Sequence, residues 1–245
     1  MRLQNVEIIP IRSDFQVIVS PSLLQPPDKI VREIDAIWQA ASEQSDSKLF
    51  DGKILCALEI SSKALVCSII PYRFFYAQRQ SNMIRNALQI KVVAVSGLIF
   101  HHGLLYFGRR SLSITQYPNF IELVPSGSID ADSVVTNGKA DFCKQLENEL
   151  IEELSVKKKA VSSIEPLLLA FDRQENTWDI CCRIILKADA TKSIDKNFES
   201  QEYQEIICVH LTELVNFLKA NAKCLLPTTQ VILQQVFPEL NSPEV

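Results

Sequence analysis

The sequence predicts an α/β fold of the α+β kind: a mixed β-sheet sandwiched between helices, with a smaller α+β part at the N-terminus. Three observations carry this. Strand-like runs and helix-like runs alternate along all 245 residues, a pattern that layers helices on a sheet. Apolar residues make up 47% of the chain, enough for a sizeable core. No repeat or low-complexity linker interrupts the pattern. The pattern changes near residue 88, so 1–88 is read as an N-terminal α+β extension and 89–245 as the main domain.

The elements follow in order. Residues 5–20 alternate weakly and read as one or two short strands. In "PPDKIVREIDAIWQAASEQ", Asp28 is placed to cap a helix whose stripe is Ile30, Ile34, Ile37 and Trp38. "LFDGKILCALEIS" and "ALVCSIIPY" read as paired strands around the polar "SSK". "YRFFYAQRQSNMIRNALQ" reads as one helix. "IKVVAVSGLIF" and "LLYFGRRS" form a hairpin with His101 and His102 in its turn, and "NFIELVP" is a further strand. "SGSIDADSVVTNGKAD" has the composition of a turn-rich loop. A helix follows from Asp141, its cap, to Leu154. "IEPLLLAFDR", "WDICCRIILKAD" and "QEIICVHL" are strands, and "LTELVNFLKAN" and "PTTQVILQQVF" are closing helices.

Several function classes are disfavoured. The formal charge is −4 and no basic stripe occurs, so nucleic acid is not an expected partner. The run Lys157, Lys158, Lys159 is short and reads as a solvated loop. The seven cysteines form no C-x-x-C pair and lie mostly in apolar runs, as buried thiols in a reducing compartment do. The first residues have no apolar leader, and no stretch approaches the ~20 apolar residues of a membrane span. The expectation is a soluble cytoplasmic protein with no membrane partner. An oligomer is compatible with these features.

The informative stretch is "ENELIEELSV", residues 147–156. Phe142, Cys143, Leu146, Leu150 and Leu154 form the apolar stripe of its helix. Glu149, Glu152 and Glu153 stand at i, i+3 and i+4. Like charges at those spacings repel, and the C-terminal end of a helix disfavours anions. No basic residue lies between Gln145 and Ser155 to offset them. The plain alternative is a solvated acidic face. A divalent cation with oxygen ligands, such as Mg²⁺, would remove the repulsion and could be shared by two or more of the carboxylates.

"ELVPSGSID" precedes this helix, so the order is strand, Pro-Gly turn, loop, acid-rich helix. That arrangement resembles the Nudix box, G-x5-E-x7-R-E-U-x-E-E-x-G-U with U apolar. Gly127, Glu149, Leu150, Glu152, Glu153 and Val156 stand at matching positions. Asn148 stands where the family has arginine, and Ser155 where it has glycine. The distance from Gly127 to Asn148 exceeds the motif by seven residues, which fall in "DADSVVTNGK", and the middle glutamate has no counterpart. The resemblance covers roughly residues 90–237. The N-terminal part is weakly similar to the extension of UDP-sugar diphosphatase-type members.

The resemblance implies a Nudix-type α/β/α sandwich, Mg²⁺ or Mn²⁺ as cofactor, and hydrolysis of a nucleoside diphosphate linked to another moiety, nucleotide sugars included. It makes Glu149, Glu152 and Glu153 metal ligands, with the Gly127 carbonyl as a further one. Arg109 and Arg110 become candidates to meet the pyrophosphate, because guanidinium pairs bidentately with phosphate oxygens. Strand alternation lets only one of them face the site easily. Glu122 is a candidate to position substrate or metal. Glu202 and Glu205 are candidate general bases, beside the box glutamates Glu152 and Glu153. The alternative is a Nudix-fold module that binds a nucleotide or a partner without hydrolysis, motivated by Asn148, Ser155 and the insertion.

Overall fold

The computed structural model describes residues 5–21, 24–44, 49–188, 190 and 202–241. The architecture is a mixed α/β one with a large sheet covered by helices on both faces, as the alternating pattern requires.

The N-terminal strands are β1 (Val6–Pro10) and β2 (Gln16–Val19), followed by helix α1 (Asp28–Ser42). Asp28 is the first helical residue rather than the cap. Pro27 precedes it with φ −57°, no side chain caps the end, and Asp28 contributes an acid to the first turn. β3 (Lys53–Ile60) and β4 (Ala64–Pro71) pair antiparallel, as their alternation predicts. The single helix expected next is two, α2 (Tyr72–Gln80) and α3 (Asn82–Leu88). Ser81 breaks it: its backbone is extended and its Oγ accepts from the Ile84 N–H, so it caps α3. Trp38 of α1 packs edge-on against Tyr72 and Tyr76 of α2.

β5 (Val92–His101) and β6 (Leu104–Arg110) form the predicted hairpin. His102 and Gly103 both have positive φ, 50° and 78°, as a two-residue turn demands. β7 (Ile121–Leu123) pairs with β6, and β8 (Ser126–Ser128) with β5. The segment read as a turn-rich loop is more ordered than its composition suggests. It holds β8, a helical turn α4 (Ala131–Val134), and the two-residue strands β9 (Val135–Thr136) and β10 (Lys139–Ala140). β10 is ordered because it pairs with β2, a partner more than 120 residues away that no local pattern reveals.

Helix α5 (Phe142–Leu154) begins and ends where expected; Asp141 Oδ1 accepts the Lys144 N–H at 2.9 Å. β11 (Val161–Asp172) and β12 (Thr177–Leu186) are antiparallel, and β12 runs parallel to β5. β13 (Tyr203–His210) pairs with β6. Helices α6 (Leu214–Asn221) and α7 (Pro227–Val236) follow.

The sheet order is β1-β11-β12-β5-β3-β4-β2-β10-β9, with β8, β6, β7 and β13 joined at β5 and β6. Three pairings, β1 with β11, β2 with β10 and β3 with β5, cross residue 88. One core lies under α5 and takes Val93, Val95, Ile180, Cys182 and Ile184. A second lies under α6 and α7 and takes Leu98, Cys181, Leu168 and Ile232. β12 is therefore dry on both faces around Cys181, while Arg183 and Ile185 further along are exposed, so "ICCRIIL" reads as an apolar run broken by Arg183. A third cluster packs α1, α2 and α3 on β3 and β4. The seven cysteines are free thiols. Among the described residues, no helix is long and apolar enough to cross a membrane.

Candidate active site

The acids of α5 do not share one environment. Leu146, Leu150 and Leu154 are fully buried and fix which side of the helix meets the sheet. At about 100° of turn per residue, Glu153 lies nearest that stripe, Glu149 next and Glu152 furthest. Accordingly Glu153 is 2% exposed and Glu149 9%, while Glu152 is exposed. Glu149 Oε1 accepts the Gln145 side-chain N–H at 2.7 Å. Glu153 accepts the Ser126 backbone N–H at 3.1 Å. Gly127 lies directly against Glu149; a Cβ there would overlap its carboxylate. Burial, reinforced by Glu202, Glu152 and Asp130 and opposed by Gln145, pushes Glu149 up to about 8. Burial lifts Glu153 well above the usual carboxylate range, with Glu149, Glu202 and Glu122 adding to it. Among the described residues, neither acid is in an ion pair.

Beside this pair opens a cleft of about 190 Å³, between β5, β8, β12 and the N-terminus of α7. Arg110, Glu122, Ser126, Gly127, Asp179 and Glu202 line it. Phe75 of α2 lines it too, so the N-terminal part contributes to its wall. Arg110 is ion-paired with Glu122, which is 4% exposed. Partial desolvation raises the Glu202 carboxyl and Arg110 opposes the rise. Arg109 and Glu205 do not line the cleft; they pair with each other at 2.7 Å. A β-bulge explains the separation. Tyr203 faces Arg110 and Glu205 faces Arg109, with Gln204 as the extra residue, so Tyr203 and Glu205 fall on opposite sides of β13.

The structure also brings in residues that the sequence reading passed over. Asp179 sits on β12 in the cleft and accepts the Ser96 hydroxyl at 3.1 Å. Burial pushes its carboxyl up to about 7, Ser96 opposing and Glu122 and Asp172 adding. An acid inside the apolar run "WDICC" is a signal of a buried charge, available from sequence. At the far end, the Tyr117 hydroxyl donates to Asp172 at 2.6 Å, and Arg79 pairs with Glu175. Tyr203 is fully enclosed among Glu122, Ser126 and Glu153.

The cation that acid-rich helices of this pattern invite would find a buried carboxylate pair, an adjoining glycine that admits close approach and, among the described residues, no basic side chain paired with either acid. Those features fit a hard cation with oxygen ligands. The fit is confined to the pair: among the described residues, no three acidic, histidine or cysteine side chains are gathered as a ligand set.

No protein-family model matches the chain, and no curated protein matches it. Solved structures are similar at low sequence identity. A bifunctional NMN adenylyltransferase/ADP ribose pyrophosphatase from Francisella tularensis is 13% identical, over 69% of this chain and 46% of that one, with a TM-score of 0.48. This chain therefore spans less than half the length of that protein. A Nudix hydrolase from Nitrosomonas europaea is 10% identical, over 60% of this chain and 88% of that one, with a TM-score of 0.36. DR0079 from Deinococcus radiodurans is 18% identical, over 52% of this chain and 72% of that one, with a TM-score of 0.38.

Proposed function

We propose that this chain hydrolyses the pyrophosphate bond of a nucleoside diphosphate linked to a second moiety, nucleotide sugars included, with Mg²⁺ or Mn²⁺. One observation carries the reading: Glu149 and Glu153 are buried behind the cleft residues Gly127 and Ser126 that they touch, and among the described residues neither is in an ion pair. A fold retains such a pair at a cost to its own stability, and a cation removes that cost. The box-like residues Gly127, Glu149, Glu152 and Glu153 support the same reading.

The roles follow from position. Glu149 and Glu153, with the Gly127 backbone, would hold the cation; Glu152 is exposed beside them. When bound, the cation supplies charge neutralisation at the pyrophosphate and acidifies water. Arg110 faces the cleft and pairs bidentately with a phosphate oxygen pair, with Glu122 fixing its guanidinium. Glu202 lines the same cleft, and its raised affinity for protons suits it to accept one from the attacking water. Arg109 and Glu205 hold each other on the other side of β13.

The test is phosphate-coupled hydrolysis of a nucleoside-diphosphate panel, including UDP-glucose and ADP-ribose, with either cation. Glu153→Gln is expected to lower turnover by about a hundredfold or more. Equal turnover in that variant sinks the assignment. A second reading, nucleotide binding without hydrolysis, is favoured by Asn148 in place of the family arginine. It predicts thermal stabilisation by a nucleotide with no product.

A further inference from the structure

We infer that Tyr203 is a positioning residue, tying the cation-facing Glu153 to the phosphate-facing Glu122–Arg110 pair through its hydroxyl. The inference rests on the cation reading proposed above and extends it to a residue outside the box.

The ring of Tyr203 belongs to the core beneath α5, where phenylalanine would pack equally well. Gly108, on the neighbouring strand, makes room for it; a Cβ there would overlap the ring. The hydroxyl is what phenylalanine lacks, and three oxygens converge on it. It donates to Glu122 Oε1 at 2.9 Å, lies 3.1 Å from Ser126 Oγ, and stands 3.4 Å from Glu153 Oε1. Ser126 also gives its backbone N–H to Glu153, and Arg110 is paired with Glu122. One phenol thus joins α5, β7, β8 and β13 at the point where the two functional halves meet.

A phenol has one proton and here two carboxylates within reach. It cannot satisfy both fully, so Glu153 is steadied by Ser126 and Tyr203 yet left with acceptor capacity for a cation. Glu122, held by both Arg110 and Tyr203, is committed and so keeps the guanidinium fixed. Groups that orient metal-binding carboxylates without touching the ion act in this way.

The experiment measures Mn²⁺ affinity of the full chain from the free-ion paramagnetic resonance signal, with urea unfolding in a chelator alongside. Tyr203→Phe is expected to weaken Mn²⁺ binding about tenfold. An unchanged affinity overturns the inference even if stability falls, since a merely structural tyrosine would behave so. A wild-type chain that does not bind Mn²⁺ overturns this inference together with the cation reading. Cation titration should also perturb the near-ultraviolet tyrosine spectrum with the binding midpoint. That signal should survive Tyr117→Phe, which keeps the inference testable if Tyr203→Phe does not fold. A silent wild-type spectrum, or a signal lost with Tyr117, overturns it.

Discussion

Glu149 and Gly127 form a contact that a single methyl group would break. In Gly127→Ala the new Cβ would occupy the place of the Glu149 carboxylate and push it away from the cleft. Because the displaced group is the end of a flexible side chain, the fold should survive while Mn²⁺ affinity drops by about tenfold or more; isothermal titration calorimetry reads this, and wild-type affinity would show that the contact is incidental. Glu149→Gln separates stability from function. It keeps the shape and the Gln145 neighbour but removes the charge that burial resists. In chelator at about pH 8 and above it should stabilise the chain by about 1–3 kcal/mol while abolishing cation binding. A destabilised variant would mean that the carboxylate is satisfied without a cation. The acid triplet was legible in the sequence as an electrostatic anomaly. Which of its members are buried was not, because that depends on how far each stands from a leucine stripe that only the packed sheet fixes.

At the scale of the element, α5 ends on a residue under strain. Ser155 has φ 54°, in the left-handed region, where the box places glycine. Its N–H bonds Ile151 O at 3.1 Å and the Val156 N–H bonds Leu150 O at 2.9 Å, the paired closure that a C-terminal glycine makes. Serine itself thus makes the closure that glycine makes in the box. Ser155→Gly should stabilise by up to about 1 kcal/mol, read from the urea midpoint, because glycine adopts this conformation without a Cβ penalty. The same helix sets a pH dependence. Burial in the fold pushes the Glu149 carboxyl from its ordinary 4.5 up to about 8. Between those values the unfolded chain has released a proton that the folded chain keeps, so metal-free stability falls as pH rises through this window and levels off above it. Saturating Mg²⁺, which takes the ionised form, should flatten the decline. A metal-free midpoint that rises across the window would contradict the burial of Glu149. Strand β13 marks the other limit of local reading. Glu202 and Glu205 look equivalent in "SQEYQEIICV", and only the pairing of β13 with β6 shows that Glu205 meets Arg109 while Glu202, just before the strand, stays at the cleft.

Across the whole molecule, the alternation of strands and helices was legible because both periods are local, and so was the apolar character of β5 and β12. The pairings of β1, β2 and β3 were not, since β1 meets β11 and β2 meets β10 over more than a hundred residues. These pairings give the segment before residue 88 a physical share in the main domain. Its removal would leave β11 without β1, β10 without β2 and β5 without β3, and would strip Phe75 from the cleft wall. It would also expose Ile90 and Val92, whose partners in the cluster under α1–α3 would be gone. Newly bared strand edges and apolar surface favour association. Residues 89–245 expressed alone are therefore expected to aggregate or to unfold without cooperativity, and the full chain to unfold in one transition. Coincident urea curves by far-ultraviolet circular dichroism and tryptophan fluorescence test the second point, since Trp38 and Trp178 report on opposite sides of residue 88. Two separated transitions, with a soluble and cooperative 89–245 fragment, would make the N-terminal segment an independent unit docked on the domain instead of part of its sheet.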